Sequence, residues 1–130
     1  MVIGFRNSLV TTGQELVRRL HAAGAPIGAG TDFPGKGVIP GKDLHRELRL
    51  LADSGLSPRE ALHTSTRGPG PGAGGRPEEG RLVTGAPANL VLLRADPFVS
   101  LDALDAIHGV VLRGKWIDRP QLDAVLEISR

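Results

Sequence analysis

The stretch "GAGTDFPG" (residues 28–35) completes a small apolar run that begins with "API" (residues 25–27). A short apolar segment therefore ends in Thr31 and Asp32 and passes at once into a loop of Gly and Pro. In an ordinary surface turn, Asp32 would cap a helix or form an Asx-turn. At the carboxyl end of a parallel strand, the same carboxylate would face a catalytic mouth. Features elsewhere in the chain decide between these two interpretations.

The composition is typical of one globular domain with an aliphatic core. The chain has 130 residues, of which 40% are hydrophobic and 3% aromatic, so Leu, Val, Ile and Ala must fill the core. The net charge is +2, and basic and acidic residues are interleaved, which indicates solvated faces rather than a phosphate-binding stripe. With one Trp, three Phe and no Tyr, the chain offers no aromatic platform for stacking bases. We therefore expect no nucleic-acid partner.

The cysteine count and the hydrophobic runs restrict the chemistry and the location. There is no Cys, which excludes disulfides, thiolate metal ligands and a Cys nucleophile. The first residues lack the apolar core of a secretory signal, and no segment approaches about 18 apolar residues. We therefore expect a cytoplasmic protein with no membrane partner.

Residues 1–67 carry helix signals around one strand signal. The capping-box pattern that starts at Thr12 predicts a helix that ends at Gly24, and "APIGAG" (residues 25–30) then predicts a short buried strand. Residues 33–41 hold too much Gly and Pro for regular structure. A second helix is predicted over 43–54, with Leu44, Leu48 and Leu51 as its apolar stripe. A second capping box, "SPRE" (residues 57–60), predicts a short helix through Thr64.

The second half of the chain changes in character after a connector. The Gly/Pro-rich residues 68–80 separate the helical part from residues 81–130, where β signals predominate. "ANLVLL" (residues 88–93) has the length and composition of a strand, and "GVVLRGKWID" (residues 109–118) predicts two strands around a two-residue turn. Pro120 predicts the start of a terminal helix, whose apolar side would carry Leu122, Val125 and Leu126.

Four blocks in this order resemble a known family. They are "RRLHAAGAPIGAGTDF" (residues 18–33), "LHRELRLLADSGLSPREALHTSTR" (residues 44–67), "GRLVTGAPANLVLLRADP" (residues 80–97) and "VVLRGKW" (residues 110–116). Together they resemble the C-terminal part of metal-dependent amidohydrolases, and the nearest likeness is to the imidazolonepropionase-like and prolidase-like branch. The resemblance extends from about Leu16 to Leu126.

The resemblance implies an α/β chain that is the C-terminal fragment of a (β/α)8 TIM barrel with strands of a small composite β-sandwich domain. Residues 25–32 would form the eighth barrel strand within its flanking helices, and "GRL" (residues 80–82), "ANLVLL" and "VVLRGKW" would be sandwich strands. A complete barrel needs about 250 residues. We therefore expect a truncated reading frame, a cut piece or one half of a split enzyme.

The resemblance also implies the chemistry. The parent enzyme would hydrolyse a carbon–nitrogen bond, of a non-peptide or dipeptide type, in a small-molecule amide or cyclic amide with the help of a divalent metal, zinc or similar. Asp32 would be both a catalytic residue and a metal ligand, because a carboxylate beside the water can orient it and accept its proton. Thr31 and His45 would contact the substrate. The alternatives are that Asp32 caps a loop and that His45 is satisfied by solvent or backbone at a helix start.

The remaining candidates are expected to play no part in the chemistry. Glu47 is expected to pair locally with Arg46 or Lys42. His21, His63 and His108 fall at positions that resemble variable surface, and we expect them to be solvated.

The chain also departs from the family pattern. The family's His-x-His pair, its lysine or glutamate and its two later histidines are absent, so we expect this chain alone to hold no metal and to be inactive. The complete site would need the N-terminal half of the same enzyme, and a homo-oligomer is the other expected assembly. The usual Ala-Asp-Leu is replaced by Ala88-Asn89-Leu90. The competing hypothesis is a non-catalytic binding or oligomerising module, or a decayed gene fragment.

Overall fold

The computed structural model describes residues 2–34, 37–67 and 80–128, and the chain divides into two compact units, Met1–Pro77 and Glu78–Arg130. We call the first the helical unit and the second the sheet unit. The helical unit contains α1 (Val2–Ala22), α2 (Lys42–Asp53) and α3 (Pro58–Thr66). The sheet unit contains β1 (Leu90–Leu93), a 3-10 turn (Leu101–Asp105), β2 (Ile107–Leu112), β3 (Lys115–Asp118) and α4 (Arg119–Ile128). No helix in the described ranges is both long and apolar enough to cross a membrane.

The first helix begins ten residues before the predicted start at Thr12. The predicted capping box is not formed, because Thr12 lies inside α1. Glu15 instead pairs with Arg18 at 2.6 Å and with Arg19 at 2.8 Å on the helix surface. Residues 2–11 contain no Pro, so nothing in the sequence stops the helix from continuing toward the N-terminus. The prediction of this helix start was wrong.

The end of α1 agrees with the prediction. Gly24 has a φ of 70°, a left-handed conformation that glycine adopts without strain. Its N–H donates to the His21 carbonyl at 2.9 Å, and the N–H of Ala25 donates to the Leu20 carbonyl at 3.0 Å. These two bonds satisfy carbonyls at the end of the helix that have no partner within it.

Residues 25–30, which were predicted as a strand, do not form a paired strand in the described part of the chain. Side chains from Ala25 to Asp32 alternate between half-buried and exposed, but this segment pairs with no strand in the described part of the helical unit. A strand needs a neighbour for its backbone hydrogen bonds, and none of the described residues of this unit supplies one. We call residues 25–32 the 25–32 segment.

The two following helices confirm the predictions. In α2, Leu48 and Leu51 are 2% and 5% exposed, and they form the core of the helical unit with Leu56 and Ala61. Ser57 caps α3 through a complete capping box. Its Oγ accepts the Glu60 N–H at 3.3 Å, and its own N–H donates to the Glu60 carboxylate at 2.7 Å.

The sheet is antiparallel with the order β1-β2-β3, which confirms the strands predicted within residues 88–93 and 109–118. Leu90 lies opposite Val111, and Val110 lies opposite Ile117. The core of the sheet unit consists of Leu101, Ala103 and Leu104 in the 3-10 turn. Residues 80–82 are not a strand, and Leu82 is 85% exposed. The prediction of a "GRL" sandwich strand was therefore wrong within the described chain.

The terminal helix and the loops complete the comparison. The helix predicted at Pro120 is present as α4, with Leu122 half-buried. Val125, on the predicted apolar side of this helix, is 60% exposed. The described residues of the 33–41 loop form turns and irregular structure, as predicted. Most of the predicted connector, residues 68–79, lies outside the described residues.

Candidate active site

Asp32 ends the 25–32 segment with an unusual backbone conformation. Its φ is 55°, in the left-handed region that Asp tolerates better than most residues, because its short polar side chain can hydrogen-bond locally. Asp32 is exposed and the preceding Thr31 is half-buried. The carboxylate is therefore accessible at the point where the chain turns away from the segment.

A backbone hydrogen bond attaches the 25–32 segment to α3. The N–H of Ala29 donates to the Thr64 carbonyl at 3.1 Å. This carbonyl is among the last four of α3, and no N–H inside a helix pairs with its last four carbonyls. The Glu47 carboxyl on α2 lies near the Gly30 backbone, which lowers its pKa against the rise that burial causes. The backbone just before Thr31 and Asp32 is thus attached to α3.

Glu47 lies where sequence reasoning did not place it. It is half-buried beside Leu48, and neither Arg46 nor Lys42 is among the groups that shift its pKa, so the expected local pairing is not formed among the described residues. Burial raises the pKa of the Glu47 carboxyl, and the nearby Gly30 backbone opposes part of this rise. The helical spacing contained a signal, because Glu47 falls between Leu44 and Leu51 on the stripe that the periodicity assigns to the core.

A cleft between α1 and α2 adjoins the Glu47 side chain. Its volume is about 240 Å³, and its lining is mostly apolar. Glu47 lines it from α2 and Ser54 from the residue after this helix, together with Val10, Gln14 and Val17 from α1. The Ser54 hydroxyl donates to the Leu50 carbonyl at 2.7 Å. Glu47 is therefore the acidic group of this cleft, and it also faces the 25–32 segment.

His45 lies in the first turn of α2, two residues before Glu47. It is half-buried, and its backbone N–H donates to the Gly41 carbonyl at 3.2 Å. Within the described ranges, no three His, Asp or Glu side chains are grouped so that they would hold a metal ion. Asp32 and His45 thus do not belong to a complete metal site formed by the described part of this chain.

A second cleft lies between the end of α1 and α3. It has a volume of about 300 Å³ and is lined by His21, Glu60 and His63, among others. His21 Nε2 lies 3.8 Å from Glu60 Oε1. Hydrogen bonds from Ser57 lower the pKa of Glu60, whereas burial, aided by Arg67 and Arg59, lowers the pKa of His63.

The histidines outside the predicted site thus differ from one another. His21 and His63 are half-buried and line this second cleft. His108 is exposed as expected, and its ring centroid lies 5.9 Å from that of Trp116.

Comparisons with known proteins agree with the resemblance in the sequence. The model of the amidohydrolase family matches residues 3–117. The fold is similar to a crystal structure of an amidohydrolase, with a TM-score of 0.67 and 27% sequence identity over 82% of this chain. The chain spans only 26% of that protein's length. A search of curated proteins found no match.

Proposed function

The chain belongs to the amidohydrolase family, and from this premise we propose that it is the C-terminal part of a metal-dependent amidohydrolase. The complete enzyme would hydrolyse a carbon–nitrogen bond of a non-peptide or dipeptide type in a small-molecule amide or cyclic amide. The observation that carries this proposal is the match of 82% of the chain to about a quarter of a larger amidohydrolase. The imidazolonepropionase-like and prolidase-like branch remains part of the proposal.

The 25–32 segment supports its assignment as the last strand of a barrel. Its side chains alternate between half-buried and exposed, which is the period of a β-strand. Strands on both sides would come from the rest of a (β/α)8 barrel. The sheet unit would then belong to the small composite β-sandwich. In a barrel of this type the active site lies at the carboxyl ends of the strands, and this is where Asp32 would stand.

The family generally uses divalent metals, and such an ion, zinc in this proposal, polarises a carbonyl group and lowers the pKa of water. The described residues do not form a metal site by themselves. Asp32 fits as one oxygen ligand because its carboxylate is exposed, and the other ligands would come from the rest of the enzyme.

The role proposed for Asp32 is proton transfer. Its carboxylate would orient the attacking water, accept a proton from it, and pass that proton to the departing amine nitrogen. Thr31, directly before it, and His45, at the start of α2, would contact the substrate. Each of these side chains belongs to the helical unit.

The proposal is tested by comparing this chain with the longer enzyme. We expect the purified 130-residue chain to hold no stoichiometric metal and to hydrolyse no amide, because one carboxylate cannot replace the missing ligands. The longer enzyme, loaded with a divalent metal, should hydrolyse amide or cyclic amide substrates. Elemental analysis that finds a stoichiometric, tightly held zinc ion on the short chain would contradict the division of the site.

A further inference from the structure

Three ionisable side chains line the second cleft, at the opposite end of the 25–32 segment from Asp32. They are His21 in the last turn of α1, and Glu60 and His63 on α3. The other residues that line this cleft are uncharged, since they are Gly, Ala, Ile, Leu and Thr, and α2 contributes none of them. The proposed hydrolysis uses none of the three ionisable groups, so the cleft is a separate feature of the helical unit.

The Glu60 carboxylate is held in place with one of its oxygens near α1. Its Oε2 accepts the Ser57 N–H at 2.7 Å and the Ser57 hydroxyl at 2.6 Å. Its Oε1 lies 3.8 Å from His21 Nε2, and the His21 and Glu60 side chains are 34% and 50% exposed. A protonated imidazole at this distance attracts the carboxylate, and the last turn of a helix also favours a cation. Protonation of His21 therefore strengthens a contact between α1 and α3.

His63 lines the same cleft but has different electrostatic surroundings. Arg59 and Arg67 stand four residues before it and four residues after it. Residues four apart are neighbours on the surface of a helix, and like charges at this spacing repel each other. Burial, together with Arg67 and Arg59, lowers the pKa of His63, and Glu60 opposes this effect only in part. Protonation of His63 therefore destabilises the helical unit.

We propose that this cleft is a pH-responsive contact, in which protonation of His21 tightens the link between α1 and α3 whereas protonation of His63 destabilises α3. Arg18 and Arg19, the basic residues of α1 nearest to His21 in sequence, are paired with an acid of their own helix. The contact changes between about pH 8 and about pH 5.5, because histidines titrate in this range. It does not depend on the chemistry proposed for the complete enzyme.

The test compares His21→Gln with His63→Gln in the 130-residue chain, so that each variant is the control for the other. Glutamine can donate and accept hydrogen bonds but does not titrate. Glu60→Gln provides the background for a double-mutant cycle, because Gln at this position also completes a capping box with Ser57, and α3 should keep its start. Urea unfolding, followed by circular dichroism at equal protein concentration, gives the unfolding equilibrium constant at about pH 8 and at about pH 5.5.

We expect the two histidine variants to respond to pH with opposite signs. From the higher to the lower pH, the unfolding equilibrium constant of His21→Gln should rise about two- to fivefold relative to the wild type, the usual effect of an exposed ion pair or a charge at a helix end. That of His63→Gln should fall relative to the wild type. The pKa of His63 is lowered in the folded state, so acid favours the unfolded wild type but not the unfolded variant.

Equal signs in the two histidine variants would overturn the proposal, and so would the absence of any pH-dependent difference from the wild type. In the Glu60→Gln background, the pH-dependent effect of His21→Gln should be much smaller. An undiminished effect there would show that Glu60 is not the partner of His21 and would also overturn the proposal. None of these measurements involves hydrolysis, so a failure of the contact is distinguishable from a failure of the proposed function.

Discussion

At the scale of single residues, two carboxylates of the helical unit, those of Asp32 and Glu47, differ in their exposure to solvent. Asp32 is exposed at the end of the 25–32 segment, whereas Glu47 is half-buried and faces the backbone of that segment. The carboxylate of Asp32 is therefore open to substrate and water, as its proposed role in proton transfer requires, whereas that of Glu47 is partly removed from solvent.

The raised pKa of Glu47 gives a prediction about stability and pH. Burial raises the pKa of Glu47 above 4.5 in the folded state. The contribution of Glu47 to folding stability is therefore fully present below the unfolded-state pKa and is lost as the pH rises through the folded-state pKa. Glu47→Gln keeps the acceptor but does not titrate. We therefore expect the stability of Glu47→Gln relative to wild type to increase between about pH 4 and about pH 7.

Urea unfolding of both proteins at the two pH values checks this expectation. Other acids, including Glu15 and Glu60 with their lowered pKa values, titrate equally in both proteins and cancel in the difference. The stability of Glu47→Gln relative to wild type should not stay constant or fall as the pH rises. Either result would contradict the half-burial of Glu47.

At the scale of elements, the hairpin of β2 and β3 shows local chemistry that agrees with the sequence. Arg113 and Gly114 have φ values of 51° and 81°, as a type I′ turn requires. The Arg113 N–H donates to the side-chain oxygen of Asn89 at 2.8 Å, and the Gly114 N–H donates to the Ala88 carbonyl at 3.0 Å. Asn89, which stands where the family usually has Asp, therefore supports the hairpin turn through its side chain.

The same sheet predicts the effect of one added methyl group. Gly109 is buried on β2, and a Cβ at this position would overlap ring carbons of Trp116 on β3. Gly109→Ala should therefore displace the indole and destabilise the sheet unit by about 1–3 kcal/mol, the usual cost of overpacking. Trp116 is the only Trp of the chain, so a shifted fluorescence maximum and a lower thermal midpoint report the change.

A second substitution controls for this effect. In a Trp116→Val background, Gly109→Ala should cost much less, because the ring that it meets is gone, and the two substitutions should be non-additive. Unchanged fluorescence and an unchanged midpoint in Gly109→Ala alone would show that the indole does not cover Gly109.

Two capping-box patterns in the sequence had different outcomes, for a physical reason. The Ser57 pattern includes Pro58 at the first helical position and follows Gly55, which has a φ of 107°, so the chain cannot continue an earlier helix through it. The Thr12 pattern has no such breaker before it, and α1 runs through it. Local signals predict a helix start only where the preceding residues stop a helix.

At the scale of the whole molecule, several large apolar side chains lie outside the described core and are exposed to solvent. Large hydrophobic side chains remain exposed in both units, such as Leu16 at 58% in the helical unit and Val99 at 80% in the sheet unit. In the sheet, β1 and β3 are outer strands, and such edges invite pairing with other chains.

We therefore expect the isolated chain to self-associate. Size-exclusion chromatography with light scattering should report dimers or larger species, or a partly unfolded chain, rather than one monomer. Mild denaturant should shift the distribution toward monomer before the helices melt, as judged by circular dichroism. A monodisperse monomer that unfolds in a single cooperative step would contradict this expectation and would mean that each unit closes its own core.

The sequence predicted the local elements better than it predicted which elements contact one another. Leu48 and Leu51 are buried and the hairpin turns at Arg113 and Gly114, because periodicity and turn chemistry are encoded over a few residues. The 25–32 segment was predicted as a strand, but a strand depends on neighbours that the described chain does not supply.

The most direct test of the account is the kinetics of Asp32→Asn in the longer enzyme, with metal content measured alongside. Asn has nearly the same size and also tolerates a left-handed backbone, so the fold should change little. It lacks the basic carboxylate, and we expect kcat to fall by about 100- to 10,000-fold. His45→Ala, as the comparison, should change KM more than kcat. If Asp32→Asn kept nearly the wild-type kcat at full metal content, Asp32 would be a loop cap and the proposed site would be wrong.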